Sequence, residues 1–220
     1  MNETLSAQML AMTHGLLSSL LVSAIGILLS VVIGVVFGAI RYARIPVVHW
    51  IIGGYVNFFR CTPLLVQIFM LYFALPEIGI RLSPFETSWL ALGLWGGAYQ
   101  TEVFRSGFAA VSKHDILAAR ALGIPAFQTF LDITLPIGLR STIQASTTTA
   151  ITQFRSSSFM IVVGYMELTY VANKIVSETF QVFEIFGIAA LMYLAVCLAI
   201  SLLSRMLERV LHVPGLGVAR

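Results

Sequence analysis

Two long stretches without a charged residue decide what this chain can fold into. Residues 15–40 carry no charge over 26 positions, and residues 185–204 carry none over 20. A helix needs roughly 20 apolar residues to cross the hydrocarbon core of a bilayer, so each stretch can span it. Only 10% of the 220 residues are charged, whereas a soluble domain carries about 25% charge. The sequence therefore predicts an all-α integral membrane protein.

Three further apolar segments bring the predicted number of membrane spans to five. These segments are less uniformly apolar. The third of the five predicted spans carries Glu102, and the fourth carries Arg155. The chain shows no low-complexity linker and no internal repeat, so we expect one domain over residues 1–220. The predicted spans cover approximately residues 15–40, 55–76, 88–106, 139–163 and 185–205.

The basic residues predict the orientation, because cytoplasmic segments of membrane proteins are enriched in lysine and arginine. The segment before the first span carries only Glu3 as a charged residue. It lacks the basic start of a signal peptide, so we interpret the first span as an uncleaved anchor with the N-terminus outside. Five spans then place the C-terminus in the cytoplasm. The inside segments hold nine of the thirteen basic residues: Arg41, Arg44, Arg105, Lys113, Arg120, Arg140, Arg205, Arg209 and Arg220.

The chain carries no visible equipment for catalysis or for binding a cofactor or metal. Its four histidines are scattered singly, and it has neither a phosphate-binding glycine loop nor a nucleophile elbow. The net charge of +3 follows from the excess of basic residues in the predicted cytoplasmic segments, and it suggests no nucleic-acid partner. Cys61 and Cys197 lie on different spans, and we interpret them as small core residues rather than a disulfide.

Two of the predicted spans have an unusual composition. In the first, Ser30, Gly34 and Gly38 recur every four residues, a spacing that lets helix backbones approach closely. In the fourth, thirteen of the eighteen residues 141–158 are polar. Because polar groups at membrane depth usually face a bundle interior or a water-filled cavity, we expect this helix to line a hydrophilic path. Hydrogen bonding between helices is the alternative. The residues expected on the path are Thr149, Thr152, Arg155, Ser156, Ser157 and Ser158.

A short, broken segment, residues 112–136, separates the third and fourth spans. Ser112 and Asp115 indicate a helix start, Gly123 fits the left-handed position that ends a helix, and Pro125 fits the first turn of the next. The second short helix, residues 126–133, is expected to end at Leu135-Pro136. The product is a compact cytoplasmic elbow whose shape suits a partner's groove. A hydrophilic path, no energy source and a docking elbow suggest a motor-driven transporter.

The elbow resembles the signature loop of permease subunits of binding-protein-dependent ABC importers. That pattern is Glu-Ala-Ala, three residues, Gly, nine residues, Ile, one residue and Leu-Pro. Leu117 replaces the glutamate, and the other matching positions are Ala118, Ala119, Gly123, Ile133, Leu135 and Pro136. The polar amino-acid branch is indicated by "FFRCTPLLVQ" at 58–67, "GAYQTEVFRSG" at 97–107 and "GYMELT" at 164–169. The likeness runs from about residue 16 to 209, with Cys61 in place of the usual glycine.

The resemblance implies a type I ABC importer transmembrane domain in the inner membrane of a bacterial cell. The elbow then corresponds to the coupling helix that a dimer of cytoplasmic ATPases grips, with ATP and magnesium held by that partner. A second permease chain, identical or paralogous, and an external amino-acid-binding protein complete the importer. The implied substrate pathway adds Arg60, Thr62 and Glu102 to the polar residues of the fourth span.

The charged residues of the spans raise two expectations. Glu102 and Arg105 lie three residues apart, hence on one helix face, and should pair. Arg155 stays ionised at nearly any pH and needs an anion. That anion is either a protein carboxylate, from Glu102 or Glu184, or the α-carboxylate of the substrate, which a guanidinium binds bidentately.

Two other classes of function fit the sequence less well. A self-sufficient secondary transporter usually contains inverted repeats with a pair of broken spans, and neither is evident in this sequence. A membrane anchor or assembly factor would not need the polar fourth span. Co-purification with an ATPase separates an ABC permease from both.

Overall fold

The computed structural model describes residues 2–210, with side chains described from Ser6 onward, and every regular element in this range is helical. The elements are α1 (Asn2–Ala43), α2 (Val48–Cys61), α3 (Leu64–Phe69), α4 (Pro84–Ala109), α5 (Lys113–Ala121), α6 (Ala126–Thr129), α7 (Leu135–Ser141), α8 (Ile143–Ser156), α9 (Leu168–Thr179) and α10 (Val182–Val210). Two π-helical turns, Met70–Ala74 and Phe130–Thr134, and two 3-10 helices, Leu75–Ile78 and Ser157–Val163, continue some of them. The predicted all-α class is confirmed.

Helix α1 packs along α4 through its small residues. A Cβ atom added at Gly34 would lie 2.9 Å from the carbonyl carbon of Gln100, and one at Gly38 would lie 3.0 Å from the backbone nitrogen of Arg105. The two helices therefore run parallel at backbone contact. The predicted tight packing through Gly34 and Gly38 is confirmed, and it is packing within the chain.

Helix α8 runs antiparallel to both α4 and α10. Gln153 donates to the carbonyl of Leu92 at 2.9 Å, while Gln100 donates to the hydroxyl of Ser146 at 2.8 Å. Against α10, the hydroxyls of Thr147 and Ser204 lie 2.6 Å apart, and the ring centres of Phe154 and Tyr193 lie 5.4 Å apart. It follows that α1, α4 and α10 share one direction.

The second predicted span is not one continuous helix. The segments Val48–Cys61 and Leu64–Ile78 meet at an angle of 107°. Thr62 is extended there, at φ −101° and ψ 141°, because the ring of Pro63 disfavours a helical conformation of the preceding residue. A second bend, of 52°, separates Ile143–Val163 from Leu168–Thr179. Each bent pair is either a broken span or a re-entrant loop, so the expectation that no pair of broken spans occurs stays a prediction.

Length and composition alone mark two helices of the described range as membrane spans, Ser6–Ala43 and Val182–Val210, or up to four if each bent pair is one span. Helix α4 falls outside this criterion although it lies at the centre of the bundle. Thirteen of its 26 residues are buried, so its small and polar side chains face other helices rather than lipid. A span enclosed in this way does not need an apolar surface.

Candidate functional site

The elbow begins with two helical turns that stop where the sequence predicts. The Ser112 hydroxyl caps α5 by accepting from the backbone N–H of His114 at 3.2 Å. Gly123 ends it with a φ of +76°. Its N–H donates to the backbone carbonyl of Arg120 at 2.9 Å, and the N–H of Ile124 donates to the backbone carbonyl of Ala119 at 3.1 Å. This pair of bonds is a Schellman motif, so the predicted left-handed stop is confirmed.

The second half of the elbow differs from the prediction. Pro125 precedes α6 as its cap instead of lying in its first turn, and the helix does not end at Leu135-Pro136. It passes through a π-helical turn, in which the N–H of Leu135 donates to the carbonyl of Phe130, and continues as α7 to Ser141. The wider π turn accommodates Pro136, which has no N–H to donate.

The outer surface of the elbow is apolar and exposed. Leu117, Leu122 and Phe127 are 59%, 80% and 75% exposed. Ala118 is also exposed, whereas Ala119 is buried beneath it. The remaining predicted residues of the elbow, Ile133, Leu135 and Pro136, are half-buried and join it to the bundle. The predicted set therefore divides into residues on an exposed surface and residues that anchor the elbow to the bundle.

The polar residues of α8 divide in the same way. Gln153 is fully buried and connects three helices, because it also accepts from Ser30 on α1 at 3.1 Å. Ser157 is buried as well and donates to its own helix at 2.7 Å. Gln153 thus fulfils the alternative of hydrogen bonding between helices, whereas Ser157 is buried and bonds within its own helix instead of lining a path. Sequence reasoning did not separate Gln153 from its neighbours, because only the contacts of α1 and α4 distinguish it.

The other polar residues of α8 form an outward stripe. Gln144, Thr148, Thr152 and Arg155 follow one another at helical spacing, and all but the half-buried Thr152 are exposed. The hydroxyl of Thr152 donates to the carbonyl of Thr148 at 2.9 Å, so the stripe requires no partner on another helix. The predicted residues Thr149, Ser156 and Ser158 flank it and are half-buried. Gln144 and Thr148 belong to the stripe but were absent from the predicted set.

Arg155 forms neither of the predicted ion pairs with a protein carboxylate. Within the described residues the ion pairs are Arg41–Glu102 and Arg105–Glu102. Glu102 is thus occupied, and Glu184 makes no ion pair with Arg155. An exposed guanidinium at the end of a polar stripe remains available to an external anion.

The remaining predicted pathway residues do not join this stripe. The guanidinium of Arg60 lies 5.1 Å from the ring centre of Tyr99 on α4. Thr62 belongs to the break between α2 and α3, where its carbonyl accepts from Gln67 at 3.0 Å. Neither residue, nor Glu102, shares a hydrogen bond or ion pair with Arg155 in the described part of the chain. No group of three or more metal-ligating side chains occurs among the described residues.

These features agree with the comparison to known protein families. A family model described as the binding-protein-dependent transport system inner membrane component matches residues 26–213. The chain belongs to this family. It is a multi-pass permease subunit, and the family to which the elbow bears a resemblance is thereby confirmed.

The permease is similar to curated relatives and to solved structures of ABC transporters. It is 37% identical to the probable glutamine ABC transporter permease protein GlnP of Bacillus subtilis, over 88% of this chain and 90% of that protein. It is 32% identical to the nopaline transport system permease protein NocM of Agrobacterium fabrum, over 87% and 83%. A crystal structure of an amino acid ABC transporter with histidines superposes with a TM-score of 0.87 at 26% identity, covering 94% and 96%. The inward-facing MetNI methionine ABC transporter, at 18% identity, superposes with a TM-score of 0.79 over 93% and 98%. The predicted type I ABC importer fold is confirmed.

Proposed function

We propose that this permease carries amino acids, or close derivatives, inward across the bacterial inner membrane. Two of its relatives are permeases named for glutamine and nopaline transport, which supports this substrate class. The observation that carries the proposal is Arg155, an exposed guanidinium without a carboxylate partner among the described residues. Every α-amino acid brings a carboxylate, and a guanidinium can bind it bidentately.

The energy comes from partner subunits in this proposal, and the permease itself catalyses no reaction. A dimer of ATPases, which holds ATP and magnesium, grips the outer surface of the elbow formed by Leu117, Leu122 and Phe127. The exposure of these three apolar side chains supports this docking mode. A second permease chain, identical or paralogous, lies beside this one, and an external binding protein delivers the amino acid. The N-terminus lies outside and the C-terminus in the cytoplasm, as the distribution of basic residues favours.

A continuous helical path connects the elbow to the stripe. The helical segments from Ala126 to Ser141 follow one another without a loop, and α8 begins two residues later at Ile143. A force on the elbow therefore reaches α8 through helix rather than through a flexible linker. In the proposed cycle, closure of the ATPase dimer shifts the elbow and rocks α8, which exposes Arg155 to alternate sides of the membrane.

Reconstitution tests the proposal directly. The permease is co-expressed with its ATPase and second permease chain, purified and placed in vesicles with candidate binding proteins loaded with amino acids. We expect co-purification of an ATPase, stimulation of ATP hydrolysis by at least one loaded binding protein, and uptake of its amino acid. Stimulation and uptake with only a sugar- or metal-loaded binding protein would contradict the substrate class. Failure to retain any ATPase would contradict the mechanism.

A further inference from the structure

A basic groove lies between the elbow and the cytoplasmic ends of α1 and α4. It has a volume of about 720 Å³, and its walls include Arg41 at the end of α1, Arg44 immediately after α1, Arg105 from α4 and Arg120 from α5. A neighbouring groove of about 480 Å³ shares the first three arginines and adds His49 and Trp50. Among the described residues, none that lines either groove is acidic. The groove thus concentrates positive charge from three separate elements.

The positive charge of this groove is only partly compensated. Glu102, which lies outside the lining, takes both Arg41 and Arg105 as partners. Arg44 and Arg120 make no ion pair within the described part of the chain. The Nε atom of Arg41 and the Nδ1 atom of His49 are buried without a hydrogen-bond partner among the described residues. Both nitrogens are shielded from solvent and lie out of reach of a ligand, so the groups that the groove offers to an anion are the unpaired guanidinium groups of Arg44 and Arg120.

The surroundings of the groove identify the kind of anion. At the start of α2, Val47, Trp50 and Ile51 are exposed by 69%, 79% and 67%. Tryptophan is enriched where protein crosses from lipid to water, and Trp50 itself lines the smaller groove. An anion that carries an apolar tail therefore fits this combination of arginines and exposed apolar side chains. Basic pockets between helices on the cytoplasmic side are suited to anionic lipid headgroups.

We propose that this groove binds the phosphate headgroup of an anionic phospholipid from the cytoplasmic leaflet. Arg44 and Arg120 contact the phosphate from opposite walls, and the acyl chains lie along Trp50 and Ile51. The lipid would then tie the elbow to the end of α1. This site is separate from the polar stripe of α8 and does not depend on the identity of the transported substrate.

Binding to the purified full-length chain tests the proposal. Native mass spectrometry in detergent measures the affinities for phosphatidylglycerol and phosphatidylcholine. In a parallel arm, thermal unfolding compares the stabilisation by phosphatidylglycerol with that by inorganic phosphate. The variants are Arg44→Gln and Arg120→Gln, both on exposed side chains without an ion-pair partner among the described residues. The matched control is Arg140→Gln, which removes an exposed cytoplasmic arginine from outside the groove. Each groove variant should weaken phosphatidylglycerol binding about fivefold, and the control by less than about twofold.

Three results would overturn the proposal. Equal affinity for the two lipids would remove the role of the anionic headgroup. Equal losses of phosphatidylglycerol affinity in Arg140→Gln and Arg44→Gln would show that binding depends on diffuse surface charge rather than on the groove. Stabilisation by inorganic phosphate that matches phosphatidylglycerol, and disappears in Arg44→Gln, would assign the groove to a soluble anion.

Discussion

Arg105 donates two hydrogen bonds to one carboxylate oxygen of Glu102, from Nε at 2.9 Å and from Nη2 at 2.8 Å. The predicted pair is therefore present. Arg41 on α1 takes the other oxygen of the same carboxylate. The carboxylate of Glu102 therefore links the end of α1 to α4. Because both of its oxygens are paired with arginines, Glu102 has a structural role and does not bind the substrate in this arrangement.

The first prediction tests this pairing by charge reversal. Glu102→Arg and Arg105→Glu should each lower uptake and thermal stability, and the double variant should recover part of both. Recovery should be incomplete, because the arginine introduced on α4 by the first substitution faces Arg41. A double-mutant cycle on the free energy of unfolding should give a coupling energy of about 0.5–3 kcal/mol. Purely additive losses would show that the two residues do not interact.

The second prediction concerns the backbone contact between α1 and α4. Gly34→Ala should destabilise the protein by about 1–3 kcal/mol, since the added methyl overpacks a contact that leaves no space. Gly187→Ala is the matched control, because a Cβ atom there meets nothing within 4 Å. The control should be neutral or stabilising by about 0.5–1 kcal/mol, as alanine favours a helix interior over glycine. Thermal unfolding in detergent measures both, and equal values would contradict intimate packing at Gly34.

These residues show which parts of the structure can be predicted from sequence. The stop at Gly123 and the packing of Gly34 follow from local chemistry, a left-handed turn in one case and small-residue spacing in the other. The π turn before Pro136 depends on how the whole elbow packs, and a proline alone indicates only a break. Gln153 and Thr148 look alike in sequence as polar residues of one helix, but only the positions of α1 and α4 decide which becomes buried. The division of α8 into a hydrogen-bonded face and an exposed stripe is therefore a tertiary property.

The third prediction separates backbone conformation from side-chain size at the elbow. Gly123 has a φ of +76° and open space around it, so a larger residue there causes strain but no clash. Gly123→Val should cost about 1–2 kcal/mol, misplace the docking surface and reduce uptake and ATPase affinity while the protein still inserts. Gly123→Asn is the control, because asparagine tolerates the left-handed region, and it should retain most function. If Gly123→Val matches Gly123→Asn in uptake and in ATPase affinity, the left-handed turn does not set the docking geometry.

The last prediction tests Arg155 as the residue that receives the substrate carboxylate. Arg155→Gln should leave thermal stability and basal ATP hydrolysis unchanged, because the guanidinium has no ion-pair partner within the described residues, but it should abolish uptake or alter its specificity. Arg155→Lys keeps the charge but loses the bidentate fork, so it should keep part of the uptake. Thr148→Val is the matched control on the same exposed stripe, and it should transport close to the wild-type rate. Uptake, ATPase stimulation by the loaded binding protein and thermal unfolding are measured on all three variants. Normal transport by Arg155→Gln, or its failure to fold, would exclude Arg155 as the substrate contact.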